Sequence, residues 1–279
     1  LSLAKVAKKA GVPVFYFICP QVWAWRTGRV RKMKARVDRL VVVFPFELDF
    51  YHRHGLSADF VGHPLLDVMG PPRPKGEVKA ELGFDPAQPL LLLMPGSRKH
   101  LVKRLFPIML ETAGLIRREH PEIALAVAQA ETLQRDFLER FLDGGPEEVR
   151  IVLGTSHALQ NAADAAIVAS GTSTLETALM LTPMVVVYRA SSLSFALGQM
   201  LVKVEDVAMA NLIAGRRVVP ELLQNEARPD RIAAELEKIL KDPEIQEDMI
   251  RSLKQVREKL GRPGACRRAA RLLLQTIEG

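Results

Sequence analysis

The stretch Ala166-Ile-Val-Ala-Ser170-Gly171-Thr172-Ser173-Thr174-Leu175-Glu176 passes from an apolar run to a helix start within a few residues. Residues 165–169 are short and uninterruptedly apolar, which predicts a buried strand. Ser170-Gly-Thr-Ser173 then turns the chain into a predicted helix over about 174–181. Backbone N–H groups at a helix start have no intrahelical partner and sit at the positive end of the dipole. Gly171 lets an anion come close to that backbone, and Glu176, in the first turn, is placed to accept hydrogen bonds from sugar hydroxyls. The same pattern also describes an ordinary capped strand-to-helix turn, so its meaning depends on what surrounds it.

The surroundings are those of an ordinary globular protein of 279 residues, 48% hydrophobic and 25% charged, long enough for more than one domain. No apolar run reaches the ~18–20 residues needed to span a bilayer; the nearest, 178–188, is broken by Thr182 and Pro183. Cys19 and Cys266 form no CxxC or Cys/His spacing, so a reducing compartment and no structural metal are expected. The net charge of +7 raises nucleic acid, anionic lipid or a phosphorylated substrate as partners. Arg26, Arg29, Arg31, Lys32, Lys34, Arg36 and Arg39 crowd together with Asp38 as the one acid among them. This is either a solvated helix face or a surface for anionic head groups. No helix-turn-helix, RRM or zinc-finger pattern accompanies the charge, so nucleic acid is not expected.

Along the chain, a helix over 1–10 and a strand over 12–18 are followed by Pro20-Gln-Val-Trp23-Ala-Trp25-Arg26, which reads as an extended segment with both tryptophans on one side. The basic helix over 28–37, a strand over 40–44, a helix over 45–51 and a short strand over 58–61 complete the first part, 1–70. The pattern opens on a helix with no strand before it, which reads as an N-terminal domain that is incomplete. Residues 71–86 are rich in proline and read as a linker. A second series over 87–228 alternates strands (90–94, 123–127, 149–153, 165–169, 184–188) with helices (105–116, 132–142, 157–163, 174–181, 195–202), and 221–224 reads as a short helical piece. Helices fill 229–279. Such alternation predicts an α/β fold of two Rossmann-like parallel-sheet domains, with ligands outside the carboxyl ends of the strands. Pro95-Gly-Ser-Arg98 and Ser170-Gly-Thr-Ser173 both follow strand ends in the second domain and are expected to face one ligand. Arginine offers a fork of donors to phosphate oxygens and the turns offer backbone N–H groups. With no Walker Lys-Ser/Thr and no GxGxxG, nucleotide hydrolysis and nicotinamide chemistry are disfavoured, leaving a nucleotide-sugar site.

Pro20-Gln-Val-Trp-Ala-Trp-Arg26, Phe44-Pro-Phe-Glu47, Val61-Gly-His-Pro64, Pro95-Gly-Ser-Arg98, Ser170-Gly-Thr-Ser-Thr-Leu-Glu176, Asn211-Leu-Ile-Ala-Gly215 and Val219-Pro-Glu-Leu-Leu223 stand in the order and at spacings similar to those of the lipid-A-disaccharide synthase family. The resemblance covers nearly the whole chain. It implies a GT-B-like, inverting, metal-independent glycosyltransferase with no cofactor, moving 2,3-diacylglucosamine from its UDP derivative to 2,3-diacylglucosamine 1-phosphate. It also implies a cytoplasmic protein held peripherally on anionic lipids of the inner membrane. Carried onto this chain, the UDP contacts are Ser97, Arg98, Gly171, Thr172, Ser173, Glu176, Tyr188, Arg189 and Asn211. Asn211 either bridges ligand oxygens or caps a loop, and Arg189 either closes the pocket or is a surface residue. Trp23, Trp25, Arg26 and Arg29 fall on the acceptor and membrane side, the tryptophans as an apolar wall or as core aromatics. His63 is either a base or structural. The family's proposed catalytic aspartate belongs to a segment upstream of Leu1, so no catalytic residue is assigned and this chain alone is expected to have little or no turnover.

The chain departs from the family at Cys19, where Ser is usual, at Leu101, where an acid is expected after the Arg98 turn, and at Ala210, where Pro is usual. Other readings are a different UDP-sugar enzyme of the same fold (a MurG-like transferase or a UDP-N-acetylglucosamine epimerase) and a non-catalytic, basic nucleotide-sugar and membrane-binding module. The sequence leaves homodimer formation, and whether the last helix crosses back to the first domain, open.

Overall fold

The computed structural model describes the chain except residues 26, 27, 144, 147, 155, 190–205 and 279. It divides into two compact units. The first takes in 1–70 and 257–279, and the second 71–191 and 206–256 among the described residues.

In the first unit, α1 (Ser2–Lys9), β1 (Phe15–Phe17), α2 (Val22–Trp25), α3 (Arg29–Lys34), β2 (Arg39–Val42), α4 (Pro45–Arg53), β3 (Asp59–Phe60) and α5 (Leu65–Met69) build a parallel sheet in the order β1-β2-β3. The central strand is the buried one: Leu40, Val41 and Val42 are at 2% exposure or less. β1 lies at the edge, and its residues are half-buried. α3 buries Val30 and Met33 and leaves Arg31, Lys32 and Lys34 exposed. The expectation of an extended Trp23–Trp25 segment is corrected. These residues are in α2, where positions two apart point to different sides of the helix. Trp23 packs edge-on against Phe46 at 4.9 Å between ring centroids. Arg26 and the Trp25 side chain lie outside the described residues.

The helix Ala265–Glu278 also belongs to this unit. Asp67 on α5 accepts backbone N–H groups from Gly264, Ala265 and Cys266, so a carboxylate from a distant part of the chain caps the helix. Ala269 packs with Val41 and Val61. Gly62 has a φ of 83°, and a Cβ there would stand 3.2 Å from the Leu260 carbonyl oxygen and 3.3 Å from that of Arg262. The Gly62-His-Pro turn therefore requires glycine because the backbone before that last helix passes against it. His63 continues the contact: its N–H donates to Leu260 O (3.0 Å) and its Nδ1 accepts from the Leu65 N–H (3.2 Å). Burial lowers its pKa to about 4, which keeps the imidazole neutral at neutral pH.

The second unit opens with a helix, α6 (Lys75–Glu81), inside the stretch that reads as a linker. It continues with β4 (Leu90–Met94), α7 (Lys99–Glu119), β5 (Ala124–Gln129), α8 (Arg135–Glu139), β6 (Val149–Leu153), α9 (Ser156–Ala162), β7 (Ala165–Ala169), α10 (Thr172–Leu179) and β8 (Met184–Tyr188). The helix Met209–Ala214, β9 (Glu221–Leu223), a 3₁₀ turn (Gln224–Glu226) and the helix Pro229–Lys241 follow, and the unit's boundary falls near the end of the helix Pro243–Lys259. The helix expected over 195–202 lies outside the described residues. The piece expected to be helical over 221–224 is instead strand β9, paired in parallel with β8. Pro220 ends any helical continuation from before it, and Glu221 is drawn inward by hydrogen bonds described below.

All six strands are parallel, in the order β6-β5-β4-β7-β8-β9. Numbered within the unit this is 3-2-1-4-5-6, the doubly wound order, and its direction reverses between β4 and β7. Leu90 to Leu93 and Ala165 to Val168 are each 0% exposed, as expected of central parallel strands covered on both faces. Lys79, itself 4% exposed, ties the amino end of the sheet together. It donates to Asp164 at 2.7 Å and to Gln88 O at 2.6 Å, while Asp164 also accepts the Leu90 N–H at 2.9 Å.

Candidate functional site

Where strand order reverses, the connections leaving neighbouring strands run in opposite directions and leave a crevice at the carboxyl edge. The turns after β4 and β7 flank that crevice. After β4, Gly96 adopts a φ of 96° with its Cβ position only 3.7 Å from the Ala169 Cβ. That is ordinary contact, so glycine is needed here for its backbone and not for space. Arg98 then stands in extended conformation at the N-cap of α7, and its side chain makes no cap hydrogen bond to that helix. After β7, the Ser170 N–H donates to Val187 O at 2.9 Å, which anchors the turn to β8. Gly171 is the N-cap of α10, again with no side-chain cap. Thr174 and Thr177 turn their hydroxyls inward, donating to Gly171 O (2.7 Å) and Ser173 O (2.8 Å). Among the described residues, the leading N–H groups of both helices have no side-chain cap, which leaves them to water or to a ligand.

A cavity of about 310 Å³ opens at this edge, lined among others by Gly96, Ser97, Glu131, Thr172, Ser173 and Glu176. Of the residues expected at the site, Ser97, Thr172, Ser173 and Glu176 line it together. Gly171 and Arg98 are exposed on the turns themselves. Tyr188 is half-buried at the end of β8 and Arg189 is exposed beside it, and neither lines this cavity. Asn211 is turned away from solvent, at 1% exposure. Its Nδ2 donates to Val219 O (3.0 Å) and Glu221 Oε1 (2.7 Å), and its Oδ1 accepts from the Val218 and Val219 N–H groups (2.7 and 3.0 Å). In this conformation its hydrogen-bonding capacity is spent on the loop, the capping alternative of the two that the residue type leaves open. Glu221 completes the brace by accepting the Val207 and Ala208 N–H groups at 2.8 and 2.9 Å, at the start of the helix Met209–Ala214.

Several cavity residues carry no motif. Gln129, Glu131 and Thr132 come from the end of β5, and Gly154 and Ser156 from the end of β6. Thr132 Oγ1 donates to Ser97 O at 3.0 Å, joining the β5 turn to the β4 turn. The carboxyl-edge rule would have selected them, because each follows a strand of the same sheet. Chemically the site offers free helix-start N–H groups and hydroxyls toward the switch point, with a carboxylate, Glu176, to one side. Among the described residues no group of His, Cys, Asp and Glu side chains is arranged to hold a metal ion, and no helix is long and apolar enough to cross a membrane.

Comparison with known proteins gives this arrangement a family. The family model described as lipid-A-disaccharide synthetase matches residues 1–276. The lipid-A-disaccharide synthase of Anaeromyxobacter dehalogenans is 46% identical over 275 residues, covering 98% of this chain and 72% of that protein. That of Syntrophus aciditrophicus is 43% identical over 279 residues, covering 100% of this chain and 73% of that protein. Among solved structures, a UDP-GlcNAc 2-epimerase from Neisseria meningitidis superposes with a TM-score of 0.66 at 12% identity, over 98% of this chain and 72% of that one. MurG from Acinetobacter baumannii does so with a TM-score of 0.57 at 14% identity, over 98% and 69%. These structural likenesses speak to the fold, which is GT-B-like. Family model and relatives agree over essentially the whole length: the chain belongs to the lipid-A-disaccharide synthase family and is a hexosyltransferase of lipid A biosynthesis.

Proposed function

We propose that the second unit binds the donor, UDP-2,3-diacylglucosamine, with its diphosphate against the Ser97–Arg98 and Gly171–Ser173 turns and its ribose hydroxyls donating to Glu176. The observation that carries this reading is the single cavity lined by Ser97, Thr172, Ser173 and Glu176 at the strand-order reversal. Two uncapped helix starts bring N–H donors and positive dipole ends to one place. The acceptor is 2,3-diacylglucosamine 1-phosphate. One of its hydroxyl oxygens attacks the anomeric carbon, the bond from that carbon to the diphosphate breaks on the opposite face, and UDP leaves, which inverts the anomeric configuration. The hydroxyl proton passes to a general base, a role given to no residue of this chain. Charge that builds on the leaving diphosphate is held by the helix-start N–H groups, the Ser97 hydroxyl and the Arg98 guanidinium, with no metal in the reading.

The acceptor and membrane side falls to the first unit, through Trp23, Trp25, Arg26 and Arg29 and the anionic lipids of the inner membrane's cytoplasmic face. What supports this is α3, which buries Val30 and Met33 and presents Arg31, Lys32 and Lys34 to solvent.

The test is a thermal-shift titration with UDP on the chain and on an Arg98→Ala, Glu176→Ala double variant. A nucleotide at a hundredfold excess over its Kd stabilises by about 2.7 kcal/mol, or about 5–10 °C for a domain of this size. The expected result is such a rise for the parent chain and none for the variant. A parent chain that shows no shift at millimolar UDP refutes the donor-site reading.

A further inference from the structure

The cavity's carboxylate has a neighbour that no motif marks. His157, near the start of α9, places its Nε2 4.0 Å from Glu176 Oε2 on α10. We propose that His157 is a positioning residue for Glu176, holding the carboxylate at the cavity in the orientation that accepts a nucleotide's ribose hydroxyls. The inference rests on the nucleotide-sugar reading of the site and deepens it.

The two helices lie side by side in a register that other side chains fix. Gln160, one turn beyond His157 on the same face, is fully buried and donates Nε2 to Thr177 Oγ1 at 3.1 Å. Thr182 donates to the Gln160 carbonyl. Thr177 directly follows Glu176, so the Gln160–Thr177 bond sets where His157 meets Glu176. Ser156 and Glu176 line the cavity and His157 does not; the imidazole stands beside the carboxylate. In the proposal, the effect of His157 on a ligand runs through Glu176.

Among the described residues, the elements packed against this pair carry the following charged groups. On α6, packed against α9, Lys75 and Lys79 are engaged by Asp164, and Glu77 and Glu81 by Arg73. β4, β5, β7 and the helix Met209–Ala214 carry no titratable side chain. Glu131, on the β5 turn, lines the cavity, and Arg98 is exposed on the β4 turn. A protonated His157 attracts the Glu176 carboxylate by charge; the neutral imidazole does not. The side chains of the pair are 38% and 21% exposed, so the attraction is that of a partly solvated pair, worth about two- to fivefold in affinity.

Calorimetric titration of the full chain with UDP, and with uridine, which carries no titrating phosphate, at about pH 6 and about pH 8 tests this. The chain is expected to bind both probes about two- to fivefold more tightly at the lower pH. His157→Gln removes that difference without lowering the melting temperature, and His157→Arg, a fixed cation, keeps tight binding at both pH values. Glu176→Gln weakens binding and makes His157→Gln silent. The proposal is overturned if His157→Gln leaves the pH dependence of uridine binding intact, or weakens binding by the same factor with and without Glu176→Gln. A parent chain that binds no UDP refutes the nucleotide reading itself, and this inference with it.

Discussion

Asn211→Ala separates the two roles that an asparagine beside a glycine turn can have. The side chain makes four hydrogen bonds at 1% exposure, two of them accepted from the Val218 and Val219 N–H groups. Truncation orphans those two buried donors, while Glu221 keeps its bonds from Val207 and Ala208. An orphaned buried group costs about 1–3 kcal/mol. The exposed Gly215–Arg217 segment just before them gives the loop some room to relax toward water, so the lower part of the range applies to each. The expected loss is about 3 kcal/mol, equivalent to a fall of about 6–12 °C in melting temperature for a domain of this size. Scanning calorimetry without nucleotide measures it, with a UDP titration alongside. A variant that melts with the parent yet binds UDP many-fold more weakly refutes the brace and makes Asn211 a ligand contact.

Two further outcomes follow from buried charge. Burial raises the Glu47 pKa to about 7, although the Phe44 and Val43 N–H groups partly offset it. An acid with a raised folded-state pKa contributes stability that is present below its unfolded pKa of 4.5 and is lost as pH rises toward about 7. Glu47→Gln keeps an acceptor for the Phe44 N–H, and it should flatten a fall in urea midpoint between about pH 5 and about pH 8 worth roughly 3 kcal/mol in the parent; an unchanged slope counts against the assignment. In the second unit, Asp164→Ala leaves Lys79 buried without its carboxylate and is expected to cost about 3–5 kcal/mol in urea denaturation. Lys79→Met is expected to cost less, because Lys75 still reaches Asp164 at 3.3 Å; equal losses would contradict that sharing.

Much of the fold is written locally in the second unit. Leu90–Met94, Ala165–Ala169 and Met184–Tyr188 are unbroken apolar runs because helices cover both faces of the sheet, and unbroken runs between turn residues are what a buried parallel strand looks like. β9 escapes this logic. It is three residues long, begins with a glutamate and follows a proline, and it is a strand because β8 offers an edge to pair with and because Glu221 finds three donors inside. The Trp23–Trp25 segment fails for a related reason: two aromatics one residue apart read as alternation, yet four residues are too few for a period of 2 to be told from one of 3.6.

The candidate site shows the same division at the level of side chains. Gly96 and Gly171 announce themselves, since each stands in the short turn between an apolar run and a helix start, and the chemistry they allow is a property of backbone in place. Glu176 is legible because it lies in the first turns of α10, where its direction relative to the helix start is fixed by the helix itself. Thr132 and Ser156 are marked only by the general rule that ligands lie beyond strand ends, and His157 not even by that, because nothing local distinguishes them from any polar residue after a strand. Only the order β6-β5-β4-β7 brings the β5 and β6 turns to the cavity that the β4 and β7 turns begin. Asn211 is ambiguous for the converse reason: its sequence context fits both roles, and the decision is made by Glu221, ten residues on and in another element. A residue whose role depends on the backbone it sits in can be read from the chain, whereas one whose role depends on a distant partner cannot. His157 belongs to the second kind, and its effect should therefore vanish together with Glu176 in the variants that test it.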